Sequence, residues 1–299
     1  MTVLADHYVT AQDGLRLHVR EHGARTATAL PVVCLPGLAR TAADFDPLAA
    51  ALAGDADRPR RVLALDYRGR GLSDHDRDPD RYSIPVELDD VGAVLTARAV
   101  ASAVIVGTSR GGLIAMALAA VRPTAIAGVV LNDIGPVIEP QGLMRIKSYV
   151  GKLPQPHSFA EGADILRRLF GAQFPRLGEA DWFASARRNW CERDGRLVVT
   201  YDPRLARALA AVDPDHPLPP LWPQFDALGQ VPMMVIRGAN SDILSVATLA
   251  AMRARRRETM RETTIMEIAD QGHAPLLAEP ETIARIAAFI AACDPAGGA

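Results

Sequence analysis

A serine between glycines stands where the chain changes from a β pattern to a helical one. Gly107-Thr108-Ser109-Arg110-Gly111 follows the buried run Ala103–Val106 and opens an apolar helix. A serine on so sharp a strand-to-helix turn presents its Oγ outward, and the glycines are required where strand and helix backbones approach too closely for side chains. The chemistry this permits is nucleophilic attack on an acyl carbon. A serine hydroxyl is a weak nucleophile at neutral pH, so an imidazole must take its proton and a carboxylate must orient that imidazole. Without those partners the same segment is only a Gly-Ser turn ahead of a helix.

Among the seven histidines, His273 in Asp270-Gln271-Gly272-His273 alone sits just beyond a late strand, Thr264–Ile268, at the sheet edge that Ser109 also occupies. His7, His18 and His22 lie in N-terminal strands, His75 in a loop, and His157 and His216 in a later irregular region. For the acid, Asp242 follows the strand Met233–Ile236 through Arg237-Gly238-Ala239-Asn240-Ser241 and is the favoured candidate. Asp133, just after the strand Ile126–Leu131, is its competitor, with helix capping as its other role. Two backbone amides are placed to meet an oxyanion: Arg110, at the start of the helix after the nucleophile, and Leu38 in Leu35-Pro36-Gly37-Leu38. Gly37 is expected to permit the turn that aims the Leu38 amide inward. The Arg110 side chain has two readings: a guanidinium that favours a substrate carboxylate, or an ion pair with a neighbour such as Asp133 or Glu139.

The elements that must position these residues follow from hydrophobic periodicity. His7–Thr10 and Leu15–Arg20, joined by Asp13-Gly14, read as an antiparallel edge, and Leu30–Leu35 as the first buried strand. Buried runs then alternate with helical patterns: Val62–Leu65, a helix after Pro85, Ala103–Val106, a helix from Ser109, and Ile126–Leu131. Met233–Ile236, Thr264–Ile268 and a final helix Pro280–Ala292 complete the series. Strands alternating with helices predict an α/β fold with a mostly parallel sheet. That rhythm stops between Asn132 and about Gln230. The segment 136–227 reads as an insertion, with the core in 1–135 and 228–299. Its amphipathic stretches Ala163–Phe170 and Trp182–Trp190 suggest helices, and the prolines from Pro203 to Pro223 suit a stiff return connection. Phe159, Phe170, Phe174, Trp182, Phe183 and Trp190 are candidates for a pocket lining, with two or three expected to reach a substrate; Met144, Tyr149 and Leu244 are looser candidates.

Composition narrows the classes. The 299 residues carry 33 basic and 35 acidic side chains, a net charge of −2, so no global positive field attracts a polyanion and nucleic acid is not an expected partner. All the basic residues except Lys147 and Lys152 are arginine, a bias of GC-rich bacterial coding. The run Arg253–Arg257 lies near a helix end, where cations suit the dipole, and reads as a solvated terminus. Cys34, Cys191 and Cys293 are odd in number and far apart, which fits neither a disulfide framework nor metal-ligand spacing. No metal or cofactor is expected. Met1–Thr10 has no basic segment followed by an apolar one, and no apolar stretch is long enough for a bilayer, so a soluble cytoplasmic protein is expected. Homodimerisation is left open.

The chain resembles α/β-hydrolase-fold serine hydrolases of the capped, esterase-like kind along almost its whole length. The matching segments are Pro36-Gly37-Leu38, Asp66-Tyr67-Arg68-Gly69-Arg70-Gly71-Leu72-Ser73, Gly107–Gly112, Gly238–Asp242 and Gly272-His273. The resemblance implies a mostly parallel eight-stranded sheet flanked by helices, with an inserted helical cap, and the order Ser109, Asp242, His273 for a catalytic triad. It also implies that the Asp66–Ser73 loop is structural and braces the oxyanion turn. Dehalogenases and epoxide hydrolases of this fold use an aspartate where Ser109 stands, which argues against both activities. Carbon-carbon hydrolases of ring-cleavage products use a serine triad with a cap arginine, which Arg187 or Arg188 could supply, and often a tryptophan where this chain has Ala274. Many family members carry histidine where Pro36 stands, and few carry arginine after the nucleophile. A cofactor-independent carboxylic-ester hydrolase is the reading this supports. Carbon-carbon bond hydrolysis, acyl transfer or perhydrolysis, and a small-molecule receptor with a retained triad are the alternatives.

Overall fold

A computed structural model describes residues 4–258 and 262–295; Met1–Val3, part of the start read above for a leader, lie outside it. Ten strands and nine α-helices are found among the described residues. In chain order they are β1 (Leu4–Thr10), β2 (Arg16–His22), β3 (Val32–Leu35), α1 (Asp46–Ala53), β4 (Val62–Leu65), α2 (Ile84–Ala97), β5 (Ala103–Thr108), α3 (Arg110–Val121) and β6 (Ile126–Asn132). There follow α4 (Pro140–Tyr149), α5 (Phe159–Phe170), α6 (Glu179–Asn189), β7 (Trp190–Arg193), β8 (Arg196–Val199) and α7 (Trp222–Asp226). Last come β9 (Met233–Gly238), α8 (Val246–Glu258), β10 (Thr263–Ile268) and α9 (Pro280–Ala292).

The main sheet has eight strands in the order β1-β2-β4-β3-β5-β6-β9-β10. β1 and β2 pair antiparallel, as does β2 with β4, and every other pairing is parallel. Strands buried on both faces read as unbroken apolar runs, and their side chains still alternate between two cores. Val33, Leu35, Leu63, Leu65 and Ile105 join α2, α3 and α8 on one face. Val32, Cys34, Val62, Ala64 and Val104 join α1 and α9 on the other.

Of the segment 136–227, only the middle forms a cluster of its own, built from Ile165, Leu166, Phe174, Trp182, Trp190 and Leu197. Ile146, Leu205 and Phe225, from its two ends, join the larger core under the sheet. The β7–β8 hairpin was not anticipated from the helical pattern around Trp190. Its signal was Asp194-Gly195, both at positive φ, the conformation a two-residue hairpin turn demands. The arginine run also differs from expectation. Arg255 pairs with Asp226 as a surface residue would, but Arg256 is buried and donates to the carbonyls of Leu228, Gly229 and Val231. The run therefore ties α8 to the connection before β9.

Candidate active site

Ser109 sits between β5 and α3 at φ 51° and ψ −114°, a conformation costly for a residue with a side chain. The surrounding glycine requirement is steric. A Cβ on Gly111 would lie 2.0 Å from the Leu35 carbonyl oxygen. The strained turn directs Ser109 Oγ to within 2.8 Å of His273 Nε2. His273 lies beyond the end of β10, at the same sheet edge, as its spacing predicted.

The acid differs from the favoured candidate. His273 Nδ1 is 2.8 Å from Asp133 Oδ2, and the Asp133 side chain is fully buried. Asp133 leaves the end of β6 at φ 56°, and its carboxylate also accepts from the Gly238 amide at 3.0 Å and the Ser241 hydroxyl at 2.6 Å. Asp242 instead forms a two-pronged pair with Arg145 of α4, at 2.6 and 2.8 Å. Burial alone would raise the Asp242 carboxyl, but the Arg145 guanidinium holds it below the usual carboxylate range. The loop after β9 thus contributes Ser241 as a donor to the carboxylate beside the imidazole rather than that carboxylate itself. β6 lies directly beside β5, the strand that leads into Ser109, and β9 is one strand farther out; the Asp242 carboxylate that β9 could have supplied is taken up by Arg145.

The two predicted oxyanion amides occupy the expected elements. Arg110 is the first residue of α3, where a helix amide has no acceptor four residues back. Leu38 follows β3 and lines the same cavity as Ser109 and His273. Gly37 does not adopt positive φ. A Cβ there would lie 3.2 Å from Arg40 Cγ, a tight contact with a flexible side chain, and 3.9 Å from Ser109 Cβ, an ordinary one.

Beneath this turn lies a buried ionic cluster. Arg70 Nε donates to the Leu38 carbonyl at 2.8 Å, and its Nη1 lies 2.8 Å from Glu87 Oε1. The other Glu87 oxygen accepts from Arg110 Nε at 2.5 Å, and Arg110 Nη2 donates to the Tyr82 carbonyl at 3.0 Å. Of the two readings of the Arg110 side chain, the structure shows the ion pair, with Glu87 rather than Asp133 or Glu139 as partner. Glu87 was missed because it lies 23 residues earlier on α2 and only the packing of α2 against α3 brings it near. Asp66 and Arg68 have the structural surroundings expected of them. Asp66 accepts from the Ala42 amide at 2.7 Å, and Arg68 pairs with Asp90 and Asp76.

Ser109 and His273 open onto a cavity of about 180 Å³. Of the six aromatic candidates Phe170, Phe174 and Trp182 line it, and Tyr149, one of the looser candidates, joins them. Phe159 and Phe183 pack on each other, and Trp190 stays within the core of the middle segment. Arg40, Asp44 and Arg188 are the arginine and carboxylate residues of the lining.

Comparison with known proteins identifies the family and the fold. The profile described as "Alpha/beta hydrolase family" matches residues 32–286. A 3-hydroxybutyrate-oligomer hydrolase from Cupriavidus necator is 34% identical over 260 residues, covering 85% of each chain. A 2-(acetamidomethylene)succinate hydrolase from Mesorhizobium japonicum is 25% identical over 252 residues, covering 83% of this chain and 84% of that one. The crystal structure of an alpha/beta hydrolase from Novosphingobium aromaticivorans superposes with a TM-score of 0.87 at 39% identity, covering 97% of this chain and 99% of that one.

Proposed function

Since this chain belongs to the alpha/beta hydrolase family and has its fold, we propose that it is a serine hydrolase that cleaves carboxylic esters through an acyl-enzyme on Ser109. The observation that carries this reading is the continuous relay from Ser109 Oγ through the His273 imidazole to Asp133, with both contacts at 2.8 Å. With a carboxylate at Nδ1, the neutral ring carries its proton there and leaves Nε2 free to accept from the serine. Oγ attacks the ester carbonyl as Nε2 takes its proton, and the Leu38 and Arg110 amides meet the developing oxyanion. The tetrahedral species collapses when Nε2 returns the proton to the departing alkoxide. Water then repeats the sequence to release the acid and restore Ser109. No cofactor enters these steps. The segment 136–227 acts as a cap: its aromatic residues close the cavity and exclude water. The Cupriavidus necator relative is named for 3-hydroxybutyrate oligomers, whose units are joined by ester bonds, which supports an ester as the bond cleaved.

A chain-length series of p-nitrophenyl esters, assayed with the wild type and Ser109→Ala, tests this. Removal of the nucleophile is expected to cost about 10⁴-fold or more in kcat. Asp133→Asn is expected to lose on the order of 10⁴-fold, whereas Asp242→Asn loses less than about tenfold because it does not hold the imidazole. A wild type nearly inert on every ester would overturn the reading and bring forward carbon-carbon hydrolysis or ligand reception.

A further inference from the structure

The cavity beside Ser109 holds an uneven set of charges. Arg40, two residues past Leu38, uses Nε and Nη2 on Asp44 at 2.6 and 2.5 Å, and its Nη1 donates to Asn189 Oδ1 at 3.0 Å. All three of its nitrogens are engaged. Arg188, near the end of α6, approaches the same carboxylate only through Nε at 3.4 Å, and its Nη2 reaches Ser185 Oγ at 3.3 Å. Two guanidiniums therefore meet the one carboxylate of the lining, with Asp46 and Asp181 acting on Arg188 from farther off, and Arg188 is the more loosely held. The alternative arginine of α6, Arg187, is already stacked 5.2 Å from the Phe159 ring and does not line the cavity. Aromatic and aliphatic side chains make up much of the remaining lining, so the loosely held Arg188 guanidinium faces a mainly apolar cavity next to Ser109.

We propose that Arg188, supported by the Arg40–Asp44 pair, binds a carboxylate carried by the ester substrate. A guanidinium offers a planar fork that matches a carboxylate in two parallel hydrogen bonds. A carboxylate presents two coplanar oxygens that match this fork, whereas a dianionic phosphate would set a second negative charge beside Asp44. Burial lowers the Arg188 guanidinium below its ordinary value, with Asp44 opposing and Arg40 adding to the shift, and an incoming carboxylate acts in the same sense as Asp44. The substrate class is accordingly an ester with a free acid group, such as a half ester of a dicarboxylic acid or an acylated hydroxy acid. This rests on the ester-hydrolase reading and narrows it.

The test compares esters matched except for the charged group. Mono-p-nitrophenyl adipate against p-nitrophenyl hexanoate places the carboxylate on the acyl side, and 4-acetoxybenzoate against 4-methylphenyl acetate places it on the alcohol side. In at least one pair the wild type is expected to favour the acid by about tenfold or more in kcat/KM, chiefly through KM. Arg188→Gln should bring that ratio near one, and Arg188→Lys should restore part of it, since an ammonium keeps the charge but not the fork. Equal rates within both pairs, or a preference that survives Arg188→Gln, would overturn the proposal. Binding provides a readout independent of turnover: adipate should raise the melting temperature of the wild type and not of Arg188→Gln. If no ester is cleaved yet adipate stabilises the wild type through Arg188, the subsite stands and the ester reading falls. If esters are cleaved but adipate stabilises both proteins alike, or neither, the subsite falls and the ester reading stands.

Discussion

Two clusters of the same composition, each a pair of arginines bridged by one carboxylate, meet the turn around Leu38, and they differ in access to solvent. In the first, Arg70 and Glu87 are fully buried and Arg110 is 12% exposed. In the second, Arg40, Asp44 and Arg188 are 32%, 23% and 27% exposed and line the cavity. A charge taken wholly out of water must find its compensation inside the protein, so the sealed cluster is engaged with backbone carbonyls, and Arg70 also lies 5.6 and 5.5 Å from the rings of Tyr67 and Tyr82. The cavity-facing cluster keeps water as an alternative partner and can leave Arg188 with capacity to spare. The same three groups therefore serve as a brace in one place and as a receptor for a ligand in the other.

The largest separation between them should come from removing the shared carboxylate of the sealed cluster. Glu87→Gln leaves two neighbouring guanidiniums buried without a counter-charge and should destabilise the fold by about 3–5 kcal/mol, read from urea unfolding. A loss below about 1 kcal/mol would mean that this cluster is no more structural than a surface pair.

The pH dependence of the wild type sharpens the same point. Burial pushes the Glu87 carboxyl up, but Arg70 and Arg110 outweigh it, so the folded value lies below the ordinary 4.5. A depressed acid contributes stability that is complete above the unfolded value and is lost as pH falls from about 4.5 through the folded value. Unfolding free energy should fall with acidification over that interval, and the Glu87→Gln protein should show a shallower fall.

A smaller effect is expected from Arg110→Leu, because Glu87 keeps Arg70. A cost of roughly 1–3 kcal/mol would reflect the lost charge-assisted bond. In this variant the ratio between acid-bearing and neutral esters should stay as in the wild type, since the Arg110 side chain points to Glu87 and Tyr82 rather than into the cavity. A changed ratio would assign the substrate role to the wrong arginine. Smallest of all, Asp44→Asn should cost about 1 kcal/mol or less by thermal melting, as partly solvated pairs do.

Local features of this protein were legible where local physics dictates them. The apolar runs Val62–Leu65 and Ala103–Val106 are strands buried on both faces, and such strands must read this way whatever surrounds them. Asp13-Gly14 turns the edge hairpin, with Gly14 at positive φ, for an equally local reason. Less was legible where two meanings share one pattern. The stretch ending at Trp190 reads as amphipathic helix, yet at Trp190 the chain becomes a strand that packs the same residues into the middle segment's core. Five successive positions ending in Arg257 read as a solvated terminus, but the partners of Arg256 are carbonyls more than twenty residues earlier.

The active-site residues divide along the same line. Ser109 was determined by its own neighbourhood, since glycines on both sides of a strand-to-helix serine leave one strained geometry, and His273 by its place after the last strand. The choice of acid was not local. Asp133 and Asp242 each follow a strand of the same sheet, and the order serine, aspartate, histidine, which accompanies the preference for Asp242, holds for either. Tertiary structure decided it by contacts across the fold: Ser241 reaching Asp133, Asp133 meeting the His273 imidazole, and Arg145 of α4 claiming Asp242. A backbone conformation depends on residues a few positions apart, whereas a hydrogen-bond partner depends on which distant elements the packing brings together.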